Sequence, residues 1–197
     1  AEARSRTRGT GCPYCSKGGF RKRVSNENNF ASVNPKLVKY WHSRNPKGPQ
    51  ETLAHSSKEV WWKCDKGSDH EWEQSLGVIS GNYKKTGGNG CPFCSGKEPS
   101  ITNRLDILFP EIAAQWHPTK NRTVKLSDVI GKSDKRRWWK CGNGPDHEWD
   151  QTPHARVGEK GRGCPCCAGK AVSVTNSLAT LKPELAKCWH PSKNGSL

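Results

Sequence analysis

The sequence predicts a small, metal-stabilised α+β fold repeated in tandem, on three observations: a pattern of Cys, His and Trp that recurs along the chain, a low apolar content, and ten Cys at regular spacing. Of the 197 residues only 31% are hydrophobic, too few for one conventional core. Units this poor in apolar surface need a metal or disulfides to stay folded, and ten Cys could supply either.

The repeat organises the chain. Cys12, Cys91 and Cys164 open successive copies. The first reads CPYC at Cys12 to Cys15, then NNFASVNPKLVKYWH, VWWKC and DHEW. The second reads CPFC at Cys91 to Cys94, then NRLDILFPEIAAQWHPTKN, RWWKC and DHEW. The third reads CPCC at Cys164 to Cys167, then NSLATLKPELAKCWHPSKN. All nine Trp fall at repeat positions, which marks them as the small cores of the units, since Trp offers the largest apolar area per residue. Stacking on bases is the competing use for some of them.

Each element has a local cause. Asn28, Asn103 and Asn176 follow a polar stretch and suit a helix N-cap. The run after each carries apolar residues at helical spacing and a Pro, which divides it into two short helices with Pro110 starting the second. EVWWKC and HEWEQSL alternate like paired strands, with CDKGSDH as the tight connection. Residues 45–58 and 118–135 read as polar, basic, mobile connectors. The expected division is residues 1–15 as the tail of an upstream module, 16–97 and 98–170 as two complete modules, and 171–197 as the start of a further repeat.

Spacing then weighs the Cys chemistry. Disulfides within each CPxC pair would be strained and would leave Cys64 and Cys141 without partners. Cys64 and His70, like Cys141 and His147, are separated by five intervening residues, and each pair precedes a CPxC at Cys91 and Cys94 or at Cys164 and Cys167. Two knuckles so placed deliver four tetrahedral N or S donors, the set that structural zinc takes. Four soft and borderline donors also suit other metals, iron among them. Cys12 and Cys15 form half a site. Gly90 and Gly163 leave room for the knuckle turn. Cys166 and Cys188 read as small hydrophobes, and His42, His117 and His190 as packing or helix-end residues.

The string W-W-K-C, H-E-W, G-C-P-x-C, N-x-L and P-E-L-A-x-x-W-H-P-x-K-N resembles the zinc-ribbon or treble-clef repeat family known as a domain of unknown function. The resemblance covers nearly the whole chain. It implies Zn2+ at Cys64, His70, Cys91 and Cys94, and at Cys141, His147, Cys164 and Cys167, with no established activity attached. It also implies an Arg in the spacer before CPxC; Arg4 and Arg156 match, whereas the middle copy has Tyr83.

Function is read from charge. Thirty-three Lys and Arg against 18 Asp and Glu give a formal charge of +15, which favours a polyanionic partner. The candidate contacts are Arg21, Lys22 and Arg23; Lys84 and Lys85; Lys132, Lys135, Arg136 and Arg137; and Arg156, Lys160 and Arg162. A closed Cys3His site holds no water to activate, so no enzyme is expected. The expected function is a nucleic-acid-binding array, with RNA favoured over DNA because no groove-reading helix rich in Arg, Asn and Gln stands out. A ribosome or other ribonucleoprotein, organellar ones included, is the expected setting. Three other readings stay open: a protein-interaction adaptor, a DNA-binding module of a nuclease-associated protein, and a nuclease, since Asp69-His70 and Asp146-His147 imitate the dipeptide in which a catalytic His follows an Asp on treble-clef scaffolds. No run of about 18 apolar residues exists, so no membrane span is expected. Thiols at metal positions point to a reducing intracellular compartment, the mitochondrial or another organellar matrix included.

Overall fold

The computed structural model describes residues 23–158 and 161–195. Cys12, Cys15, Arg21, Lys22 and Lys160, and with them the expected half site, lie outside the described residues. The chain divides into two compact units between Ser95 and Gly96. Among the described residues, no helix is long and apolar enough to cross a membrane.

The first unit opens with α1 (Phe30–Val33), capped by the Asn29 side chain, which accepts from Ser32 N. Pro35 cannot donate to that helix and instead starts a 3-10 helix, Pro35–Tyr40. A short 3-10 turn, Pro49–Glu51, follows. Then come the antiparallel strands β1 (Glu59–Lys63) and β2 (Glu71–Ser75), in a register that sets Trp62 opposite Trp72. Both indoles point to the buried face, because alternate residues of a strand share a side. The unit continues with α2 (Leu76–Thr86), which starts at the Ser75 cap and stops at Gly87, whose φ of 68° releases the chain from the helix.

The second unit repeats the plan. Here α3 (Leu105–Leu108) and α4 (Pro110–Ala113) flank Phe109, as the Pro predicts. Strands β3 (Arg137–Lys140) and β4 (Glu148–Gln151) set Trp139 opposite Trp149. A shorter α5 (Pro153–Val157) starts at the Thr152 cap. The third repeat contributes α6 (Leu178–Leu181), α7 (Pro183–Ala186) and α8 (Pro191–Asn194).

Each core forms where the hairpin meets the helical turns before and after it. In the first, Phe30, Leu37, Trp62, Leu76 and Ile79 are fully buried. Trp62 packs edge-on to Trp41 with centroids 5.5 Å apart and donates its indole N–H to Gln74 O at 3.0 Å. In the second, Trp139 packs at right angles to Trp116 at 5.7 Å and donates to Gln151 O at 3.0 Å. The four Trp on the inner hairpin faces are core residues, as expected. The outward Trp61 and Trp138 instead carry cations on their rings, Arg44 at 4.5 Å and Lys120 at 4.4 Å.

Four expectations are corrected. Asn28, Asn103 and Asn176 are not N-caps: their Oδ1 atoms accept from Ser25, Ser100 and Ser173 N at 2.8 Å, closing the turn before the helix. The caps are the next residues, Asn29, Arg104 and Ser177. The two connectors are fastened rather than loose. Asn45 presents its amide to Trp61 as a strand would, accepting from N at 2.9 Å and donating to O at 2.8 Å. Asn121 does the same for Trp138, and Phe30 N and Leu105 N bond Thr52 O and Val129 O within them. Gly163 has open space where a Cβ would stand and no positive φ, so only Gly90, at φ 72°, meets the expected need. Cys188 is exposed rather than packed, since no hairpin covers α6 and α7 among the described residues.

Candidate metal centres

The hairpin turn and the knuckle after it bring the donors together. Cys64 directly follows β1 and its N–H bonds His70 O at 3.0 Å, closing the turn between the two residues. The CPxC knuckle adds the other two. Donor atoms of Cys64, His70, Cys91 and Cys94 all lie within 4.8 Å of one another, as do those of Cys141, His147, Cys164 and Cys167. In each quartet three residues are buried and the fourth, Cys94 or Cys167, is exposed.

The edges of these quartets test what they hold. Zinc bonds of ~2.3 Å to sulfur and ~2.0 Å to nitrogen give a tetrahedron with S···S edges of about 3.8 Å and S···N edges of about 3.5 Å. Cys64 Sγ lies 3.7 Å from Cys94 Sγ, and His70 Nδ1 lies 3.6 and 3.5 Å from Cys91 and Cys94 Sγ. In the second quartet Cys141 and Cys167 Sγ are 3.7 Å apart, with His147 Nδ1 3.3, 3.6 and 3.4 Å from Cys141, Cys164 and Cys167. A disulfide would need about 2.05 Å, and all six Cys are free. The two Cys3His sets fit Zn2+.

The surroundings suit thiolates bound to a cation. Asn89 Nδ2 donates to Cys64 Sγ at 3.4 Å and Asn143 Nδ2 to Cys167 Sγ at 3.2 Å. Burial first, then the neighbouring thiols, pushes Cys94 up to about 12, and burial pushes Cys141 up to about 11. Those protons leave when a metal binds, so affinity rises with pH. The x of CPxC packs on the site: Phe93 stacks on the His70 ring at 5.1 Å. Cys166 takes that place in the second unit, buried and outside the quartet, as a small hydrophobe should be. Gly67 and Gly144 are required by close approach, since a Cβ at either would lie 2.5 Å from the Cδ2 of His70 or His147. Both stand three residues after the first Cys, a shared position visible in CDKG and CGNG.

Of the other recurring His residues, His42 and His117 are structural, whereas His190 is exposed directly before α8. His42 Nε2 lies 3.2 Å from Glu71 Oε1, and His117 Nε2 lies 3.2 Å from Glu148 Oε1. Their Nδ1 atoms accept backbone N–H groups from Arg44 and from Thr119 and Lys120. Lys63 and then His42 hold the Glu71 carboxyl down at about 2; Lys120, Lys140 and His117 do the same for Glu148. Stability from these contacts is present above the ordinary carboxylate range and lost as pH falls toward about 2.

The candidate surface cations divide. Arg23, Lys84, Lys85, Lys132, Lys135 and Arg162 are exposed. Arg136 is exposed but ion-paired with Asp150. Arg137 is half-buried and donates to Arg136 O. Arg156 does not belong with them: it is 6% exposed, its guanidinium 4.7 Å from the Trp139 ring and 5.0 Å from the Trp149 ring, with Nη2 donating to Gln115 Oε1 at 2.9 Å. The reason is positional. Arg156 stands four residues after the Thr152 cap, as the fully buried Ile79 does after Ser75. Burial lowers its pKa, and the thiols of Cys164 and Cys141 oppose that lowering. Three thiolates and one Zn2+ carry a net charge of minus one, which suits a buried guanidinium beside them.

A family model described as "Probable Treble clef zinc finger domain" matches residues 37–97 and 112–170, more than half of the chain. No curated protein matches it.

Proposed function

Because the chain belongs to that treble clef zinc finger family, we propose that it is a non-catalytic, nucleic-acid-binding module array that favours RNA over DNA and serves as a structural part of a ribosome or other ribonucleoprotein. One observation carries the reading: the chain has a formal charge of +15, and the metal sites of its modules already have four protein donors each. Closed sites leave no position for a reacting water, so the modules are scaffolds for their surfaces. Exposed cations such as Lys84, Lys85, Lys132 and Lys135 suit phosphate contacts that are read by shape and charge rather than by base. The outward Trp138, 37% exposed, offers a stacking surface beside Lys120.

A nuclease role for the Asp-His dipeptide loses its support in the second unit. His147 Nδ1 faces three thiols and Nε2 faces two hydroxyls, so neither nitrogen is open to a scissile phosphate. We also place the protein in a reducing intracellular compartment, an organellar matrix included, since the donor thiols must stay reduced.

Fluorescence anisotropy with structured RNA, single-stranded RNA and duplex DNA checks the proposal. RNA should bind tightest, and its affinity should fall by about 10- to 100-fold between 50 and 200 mM salt, as for roughly three to five phosphate contacts. No binding to any of the three at low salt would overturn it. Duplex DNA binding above RNA would overturn the RNA preference alone.

A further inference from the structure

We propose that Ser173 and Thr175, in the segment opening the third repeat, are positioning residues for the second metal centre, holding His147 by Nε2 so that Nδ1 faces the three thiols. Thr175 Oγ1 lies 2.7 Å and Ser173 Oγ 3.1 Å from His147 Nε2, and the two hydroxyls are 2.7 Å apart. A neutral imidazole that gives Nδ1 to a metal keeps its one proton on Nε2. That N–H donates to Thr175 Oγ1, and the Thr175 hydroxyl donates in turn to Ser173 Oγ, so the donors and acceptors match in one direction. Ser173 is 4% exposed and His147 2%. Water therefore has little access to the ring from the Ser173 side, whereas Thr175 as a residue is exposed and reaches the buried ring with its Oγ1.

The segment is itself held in place. Val174 N donates to Asp146 Oδ2 at 2.8 Å, Ser173 N to Asn176 Oδ1 at 2.8 Å, and Asn176 Nδ2 to Cys166 O at 3.0 Å. The Asp-His dipeptide thus acts as a two-pronged clasp: Asp146 grips the backbone of the segment and His147 its hydroxyls. Gly144 makes the meeting possible, because a Cβ there would lie 2.9 Å from Thr175 Cγ2 as well as 2.5 Å from the His147 ring. The matched family segment ends at residue 170, before either hydroxyl. The second module's centre is completed by the repeat that follows it, which ties metal retention in one repeat to the fold of the next.

The test uses the full, zinc-loaded chain and its Thr175→Val and Thr175→Ser variants. A chelator challenge with alkylation of the released thiols, mapped by mass spectrometry, reads the two centres separately. Thr175→Val should release Cys141, Cys164 and Cys167 about 10-fold faster than the parent chain. Release of Cys64, Cys91 and Cys94 should be unchanged, and Thr175→Ser should behave like the parent. The imidazole 15N spectrum should show a slowly exchanging His147 Nε2–H in the parent and in Thr175→Ser, lost in Thr175→Val. Parent-like release in Thr175→Val, acceleration shared equally by both centres, or a Ser variant as fast as the Val variant would each overturn the proposal.

Discussion

Stripping zinc with a chelator at neutral pH is expected to unfold both modules, and returning zinc to refold them. The cores are short: in the second unit Leu105, Trp139 and Pro153 are the fully buried apolar side chains, backed by Val129, Trp149 and the Cys residues themselves. Without an ion, three thiols and an imidazole meet in an interior where burial keeps Cys141 protonated up to about 11 and Cys94 up to about 12. Neutral thiols at these separations make only weak contacts, whereas a structural zinc ion contributes roughly 10–16 kcal/mol of folding free energy. That exceeds what a domain of this size has to spare. Near-UV circular dichroism from the nine Trp should collapse on chelation and recover with added zinc. A spectrum unchanged after the metal is gone would contradict the expectation.

Trp139→Ala should cost about 3–5 kcal/mol in the second unit, and Trp62→Ala a similar amount in the first. Both indoles are fully buried. Trp139 fills the space between Trp116 and the Arg156 guanidinium, so its removal leaves a cavity and strips a buried cation of its ring. It also orphans Gln151 O at the end of β4. Trp139→Phe should cost less, roughly half as much, because the ring is kept and only the carbonyl partner and part of the volume are lost. Thermal unfolding of the zinc-loaded variants reads these values. An Ala variant within about 1 kcal/mol of the parent would show that the indole is not the centre of the core.

Much of the site was legible because metal ligation is local in sequence and strict in geometry. Cys64 and His70 had to close a turn, Cys91 and Cys94 a knuckle, and the same spacing at Cys141 to Cys167 repeated the message. The hairpins were legible from strand alternation around the Trp pairs, and the helix break from Pro110. The missing pieces depend on contacts that spacing does not encode. Helix α2 hides behind Gly77 and Gly81, though Ser75, Gly87 and the Lys84–Lys85 last turn carried its capping signals. Arg156 looked like a surface cation because counting back from the CPxC aligned it with Tyr83; counting from the hairpin places it at Ile79, inside. Asn45 and Asn121 looked like connector residues, and only the fold shows their amides completing the edge of β1 and β3. Ser173 and Thr175 lie outside the donor pattern and are found only by asking what holds the far side of the His147 ring.

The central claim is that each unit is held by one zinc ion on one Cys3His quartet. Native mass spectrometry of the parent chain beside Cys64→Ser and Cys141→Ser tests it most directly. Each variant should carry one zinc ion fewer than the parent, with the loss localised to the quartet that was altered. A folded parent that carries no zinc, or one whose quartet thiols are joined to each other as disulfides, would contradict the account.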